Sequence, residues 1–176
     1  MDIVTLKGLN SALFRVQTEL DKLGFYDEHV RDVDVYLVDY GDAFGWQHYG
    51  TSGEINIPSV SLAGLLAVLG GQHMSLRDIL RHDYAHAVAD THRALIRSAR
   101  FSDAFGASHN ASTASEFDKE FHITPYAATS PAEDFAETFR FYVKHGGALP
   151  NRHWTHTIIR KWSFVDDLAG ITGGRQ

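Results

Sequence analysis

The chain has 176 residues, 44% of them hydrophobic and 12% aromatic, which suits one globular domain with its own core. A formal charge of −6 argues against general affinity for nucleic acid or for an anionic membrane. With no cysteine, disulfides and thiolate metal sites are excluded.

The N-terminal segment MDIVTLKG lacks the basic start and apolar run of a signal peptide, and no apolar stretch reaches bilayer length. A cytoplasmic location is therefore expected, with export lacking an N-terminal signal left open. Eleven histidines is a high number. Histidine is the commonest metal ligand, but most of these need bind nothing.

Residues 9–23 predict an amphipathic helix, with Leu9, Leu13, Val16, Leu20 and Leu23 on one side and Gly24 ending it. Residues 33–39 alternate Val33, Val35 and Leu37 against Asp34, Tyr36 and Val38, which predicts a strand. Between residues 41 and 53, Gly41, Gly45, Gly50 and Gly53 interleave with Phe44, Trp46 and Tyr49, marking a loop or hairpin. Glu54 to Ile57 reads as a short strand stopped by Pro58. Residues 61–69 read as a short buried helix closed by Gly70-Gly71.

Ser75, with Asp78 three residues on, predicts a capping box opening a helix that runs to about Arg97. Its apolar positions are Leu76, Ile79, Leu80, Tyr84, Ala87 and Val88. Residues 101–124 predict an irregular excursion with a short helix around 115–121. Asn110-Ala111-Ser112 matches a glycosylation acceptor and is taken as chance. Ser130 caps a further helix, with Pro131 at N1 and Glu133 at N3, which runs to Lys144 and stops at Gly146-Gly147. There Phe135, Phe139, Tyr142 and Val143 form a core face, opposite Glu133, Glu137, Arg140 and Lys144. A last helix is predicted over 152–168. No repeat, low-complexity tract or linker appears, so residues 1–176 read as one domain.

His82 and His86 stand four residues apart, so both imidazoles project from one face of the motif helix. That is the spacing with which H-E-x-x-H binds zinc. Two histidines do not complete a catalytic zinc site, and Glu133 is the best third ligand. Asp90, one turn beyond His86, is placed to orient an imidazole from behind. Each residue also has a plain reading. Paired helical histidines are often surface groups, Glu133 suits the cap of its own helix, and Tyr126, Glu137 and Asp90 suit ordinary packing or solvated faces. His73, His92, His109, His122, His145, His153 and His156 show no matched spacing and are read as non-ligands. Of these, His122 lies nearest Tyr126 in the chain, within reach of a cleft.

The pair HDYAHAVAD (82–90) and YAATSPAEDFAETF (126–139) resembles the gluzincin metallopeptidases. The first segment is similar to the thermolysin motif helix, the second to the C-terminal zinc helix of anthrax lethal factor. The resemblance covers about a quarter of the chain. It implies a Zn²⁺ held by His82, His86 and Glu133, with Asp83 as general base, Tyr126 assisting the oxyanion and Glu137 supporting the site. It also implies an α+β, zincin-like fold: a small N-terminal sheet whose edge strand packs on the motif helix, and a helical C-terminal half. Residues 54–57 would be that edge strand, pairing with an extended peptide or protein substrate.

One position departs from the pattern, because Asp83 stands where the family has Glu. Its carboxylate is drawn back by about 1–1.5 Å. Three functions stay open: a zinc peptidase, a non-catalytic zinc module that binds peptide or a protein partner, and a domain whose histidines bind nothing.

Overall fold

The structure is a computed structural model that describes residues 3–39, 44–49, 52–60, 64, 74–150 and 153–173. The helix expected over 61–69 lies almost wholly outside the described residues, as does His73. The fold is mixed α and β, with a small sheet and a mostly helical remainder.

Helix α1 (Leu6–Leu23) begins earlier than the periodicity suggests, because the Thr5 side chain accepts from the Gly8 N–H. It ends at Gly24, whose φ of 86° supplies the left-handed turn; a Cβ there would also lie 2.7 Å from the Gly173 backbone. A one-turn helix, α2 (Glu28–Arg31), follows on an Asp27 cap and was not anticipated.

Strands β1 (Asp34–Val38), β2 (Gly45–Tyr49) and β3 (Ser52–Pro58) form a sheet in the order β1-β3-β2. The glycine- and aromatic-rich stretch is a hairpin, with β2 antiparallel to β3 and Trp46 opposite Ile55. On its other side β3 pairs parallel with β1, Val35 opposite Ile55. The expectation that residues 54–57 line a cleft as an edge strand is therefore corrected. Both sides of that strand are occupied, and its Ile55, Asn56 and Ile57 are all buried. The edge next to the motif helix is β2, which packs against that helix.

Helix α3 (Leu76–Thr91) carries the histidines and starts at the expected capping box. It breaks at His92 rather than continuing to Arg97; α4 (Arg93–Ile96) and α5 (Ala99–Phe105) follow as separate short helices. The expected helix around 115–121 does not form: residues 111–118 take no regular structure, and 119–121 form a turn. A 3₁₀ turn (Tyr126–Thr129) leads into α6 (Pro131–Lys144), and α7 (His156–Thr172) closes the chain. No helix among the described residues is long and apolar enough to cross a membrane.

Helix α3 is buried along nearly its whole length, with α1, α6 and β2 packed around it. Tyr84 and Val88 on α3 join Leu9, Val16 and Leu20 of α1 and Phe135 and Phe139 of α6 in one core. Phe101, Phe105, Phe135 and Phe164 pack largely edge to face at the C-terminal end, with Phe101 and Phe164 at 5.5 Å and 87°. The site thus sits between two helices held by the core itself.

Candidate metal centre

His82 and His86 leave α3 on the same face, and Glu133 reaches them from the first turn of α6. His82 Nε2 lies 3.0 Å from Glu133 Oε2 and 3.2 Å from His86 Nε2, and His86 Nε2 lies 3.6 Å from Glu133 Oε2. A tetrahedral zinc with bonds of about 2.0–2.1 Å sets its ligand atoms about 3.3 Å apart, so these atoms match three corners of such a shell.

Two further observations bear on the fit. Glu133 Oε2 is buried and has no well-aligned hydrogen-bond donor; it faces His82 Nε2 at 3.0 Å as an ion pair, and a cation between the two atoms satisfies the same position. The plain reading of Glu133 as a reciprocal cap is also set aside. Ser130 Oγ accepts from the Glu133 N–H at 3.2 Å, but the carboxylate turns to the histidines instead of returning to the cap.

Behind His82 stands Glu137. His82 Nδ1 lies 3.0 Å from Glu137 Oε1; donation across that bond places the proton on Nδ1 and leaves Nε2 free as a ligand. Glu137 is 1% exposed and fully engaged. Arg140 donates to both its oxygens at 2.9 and 2.6 Å, and Thr124 Oγ1 donates at 2.8 Å. Arg140 is in turn 3.9 Å from Asp78, which also pairs with Arg81 at 2.8 Å and Lys144 at 3.4 Å. The reading of Glu137 and Arg140 as a polar outer face is corrected, because α3 covers that side of α6 too.

The electrostatics call for positive charge between the helices. Burial pushes the His82 imidazole down, but Glu133, Glu137 and Asp83 outweigh it and raise it to about 9. Burial pushes the Glu133 carboxyl up, while both imidazoles pull it far below the usual range. Glu137 falls to about 2, its burial overcome by His82 and Arg140. A divalent cation supplies that charge with both imidazoles neutral.

Asp83 is 6% exposed and borders the β2 edge, its Oδ1 3.5 Å from where a Cβ on Gly45 would sit. Burial pushes its carboxyl up to about 6 against the pull of both imidazoles. The Tyr126 ring lies 5.6 Å from the His82 ring. Burial and the charges of Glu133, Asp83 and Glu137 push its phenol up to about 12, so it remains a donor. His82, His86 and Glu133 thus converge, Asp83 and Glu133 act on each other electrostatically, and the Tyr126 ring packs beside His82.

Asp90 does not back His86 as expected; the imidazole near it is that of His48, at 3.9 Å. Trp46 Nε1 donates to Asp90 at 2.7 Å and Arg93 lies at 3.4 Å, so Asp90 ties the β2 edge to α3. His122 turns away as well, lining a different cavity with Nε2 3.3 Å from Ser115 Oγ. Thr124 and Arg140 were missed in the sequence; the only signal was the i,i+3 step from Glu137 to Arg140. No family model, curated protein or solved structure matches this chain.

Proposed function

We propose that this chain is a zinc-dependent, metallopeptidase-like domain of the gluzincin type, with a zincin-like fold, that hydrolyses peptide bonds. The observation that carries the reading is the convergence of His82, His86 and Glu133 on one point, with Glu133 Oε2 buried against both imidazoles. A zinc ion held there supplies an acidified water and a Lewis acid for the substrate carbonyl.

The chain's own residues do the rest. Asp83 accepts the proton of the attacking water and passes it to the leaving amine, a role suited by a carboxyl raised to about 6. Tyr126 donates a hydrogen bond to the developing oxyanion. Glu137 holds the His82 tautomer. An extended substrate pairs along β2, since both sides of β3 are taken.

A second reading is a zinc module that binds peptide or a partner protein without cleaving it. The short reach of Asp83 favours it, because misplacement on the order of 1 Å can cost about 100-fold in rate.

The test is metal content of untagged protein, for the natural chain and for Glu133→Ala, followed by a peptide-library cleavage assay. Near-stoichiometric zinc that is lost in the variant supports the site, and cleavage then selects the first reading over the second. No zinc, even after incubation with it, sinks both.

A further inference from the structure

Behind Glu137 a row of side chains continues whose charges alternate in sign. Arg140 donates two bonds to Glu137, at 2.9 and 2.6 Å, and lies 3.9 Å from Asp78 Oδ1. Arg81 Nη1 donates to that same oxygen at 2.8 Å. Arg81 also donates two bonds to Glu19 of α1, at 2.8 and 2.9 Å. Lys144, at the end of α6, joins from the side, 3.4 Å from Asp78. The row thus runs from His82 across α6 and α3 to α1. It surfaces at Glu19 and Lys144, whose side chains are 29% and 42% exposed.

Its inner members, Glu137, Arg140, Asp78 and Arg81, are all buried, so water screens them little. The capping box fixes Asp78, because its Oδ2 accepts from the Ser75 N–H and hydroxyl at 3.1 and 2.8 Å. Oδ1 is then shared by Arg81 and Arg140, and a carboxylate drawn toward one cation acts less on the next. A guanidinium released by Asp78 leans harder on Glu137. A carboxylate so neutralised accepts the His82 Nδ1–H less strongly, and the basicity of Nε2 follows that bond.

We propose that Glu19 and Lys144 are positioning residues for His82: acting through Asp78, Arg140 and Glu137, they set how firmly Glu137 holds the Nδ1 proton and so how strongly Nε2 binds a metal. The second half of this rests on the reading of His82 as a zinc ligand. The alternation fixes the signs. Without the Glu19 charge, Arg81 turns wholly to Asp78, Asp78 gives less to Arg140, and Arg140 takes more of Glu137. The bond to His82 weakens. Without the Lys144 charge, Asp78 gives more to Arg140, and Glu137 is released toward His82. The bond strengthens.

The test uses Glu19→Gln and Lys144→Gln, each in the full chain, at the two partly exposed ends of the row. Proton NMR of the metal-free chain reads the His82 Nδ1–H, which moves downfield as its hydrogen bond strengthens. An upfield shift is expected in Glu19→Gln and a downfield shift in Lys144→Gln. Zinc affinity, measured against a competing chelator, should fall about two- to fivefold in the first and rise about as much in the second. A merely structural role would loosen the site in both variants and move both signals the same way. Shifts in one direction, no shift, or opposed shifts with unchanged zinc affinity would each overturn the proposal. Opposed shifts in a chain that takes no zinc would uphold the row and sink the metal reading alone.

Discussion

His82 Nδ1 and Glu137 Oε1 lie 3.0 Å apart, and this bond links the two helices that carry the candidate ligands. It sets which imidazole nitrogen faces Glu133, and Arg140 and Thr124 hold the carboxylate that makes it. Such backing groups commonly tune metal affinity by about 10–100-fold.

Glu137→Ala should therefore weaken zinc binding by about 10–100-fold in competition with a chelator. It also leaves the 3%-exposed Arg140 guanidinium without its main partner. Breaking a buried pair on one side costs about 3–5 kcal/mol, to be read by urea unfolding of the metal-free chain. Unchanged zinc affinity would mean that the bond only supports the fold.

Asp83→Asn removes the proposed base and leaves the ligands in place. Zinc content should hold while kcat/KM falls by about 10²–10⁴. Asp83→Glu extends the carboxylate by about 1–1.5 Å toward its working position, and a rise in cleavage is expected. A Glu variant that holds zinc and cleaves nothing would select the binding module.

Gly53 is placed where only a hydrogen fits. A Cβ there would lie 2.0 Å from the Trp46 indole, the group that donates to Asp90. Gly53→Ala should push the indole off α3 and destabilise the chain by about 1–3 kcal/mol, measured by chemical denaturation. Stability equal to the natural chain would show that the hairpin shifts at little cost.

Asp78 should give the chain an acid limit. Burial pushes its carboxyl up, but hydrogen bonds from Ser75 and the charges of Lys144 and Arg140 outweigh this and hold it below its ordinary value. A carboxyl lowered in the folded state stabilises the fold above its unfolded value of about 3.9. That contribution is lost as pH falls through the lowered folded value. Asp78→Asn should flatten stability against pH below about 4, and an unchanged acid slope would contradict this.

The sequence by itself determined the local events. Ser75 with Asp78 and Ser130 with Pro131 each placed a helix start, because a cap is satisfied within a few residues. The His82–His86 spacing put two imidazoles on one face for the same reason. Gly24, Pro58 and the glycine–aromatic hairpin were likewise visible as chain punctuation.

Only the tertiary structure decided which elements lie side by side. That β3 sits between β1 and β2 depends on pairings between strands, which no alternation of Glu54 to Ile57 encodes. The burial of Arg140 and Glu137 follows from α3 covering a second side of α6, a fact about neighbours rather than about helical period. Asp90 had the spacing to back His86, but Trp46 from β2 took it. The candidate histidine pair could be named from spacing within one helix; the approach of Glu133 to it, and the groups behind His82, come from contacts across the fold.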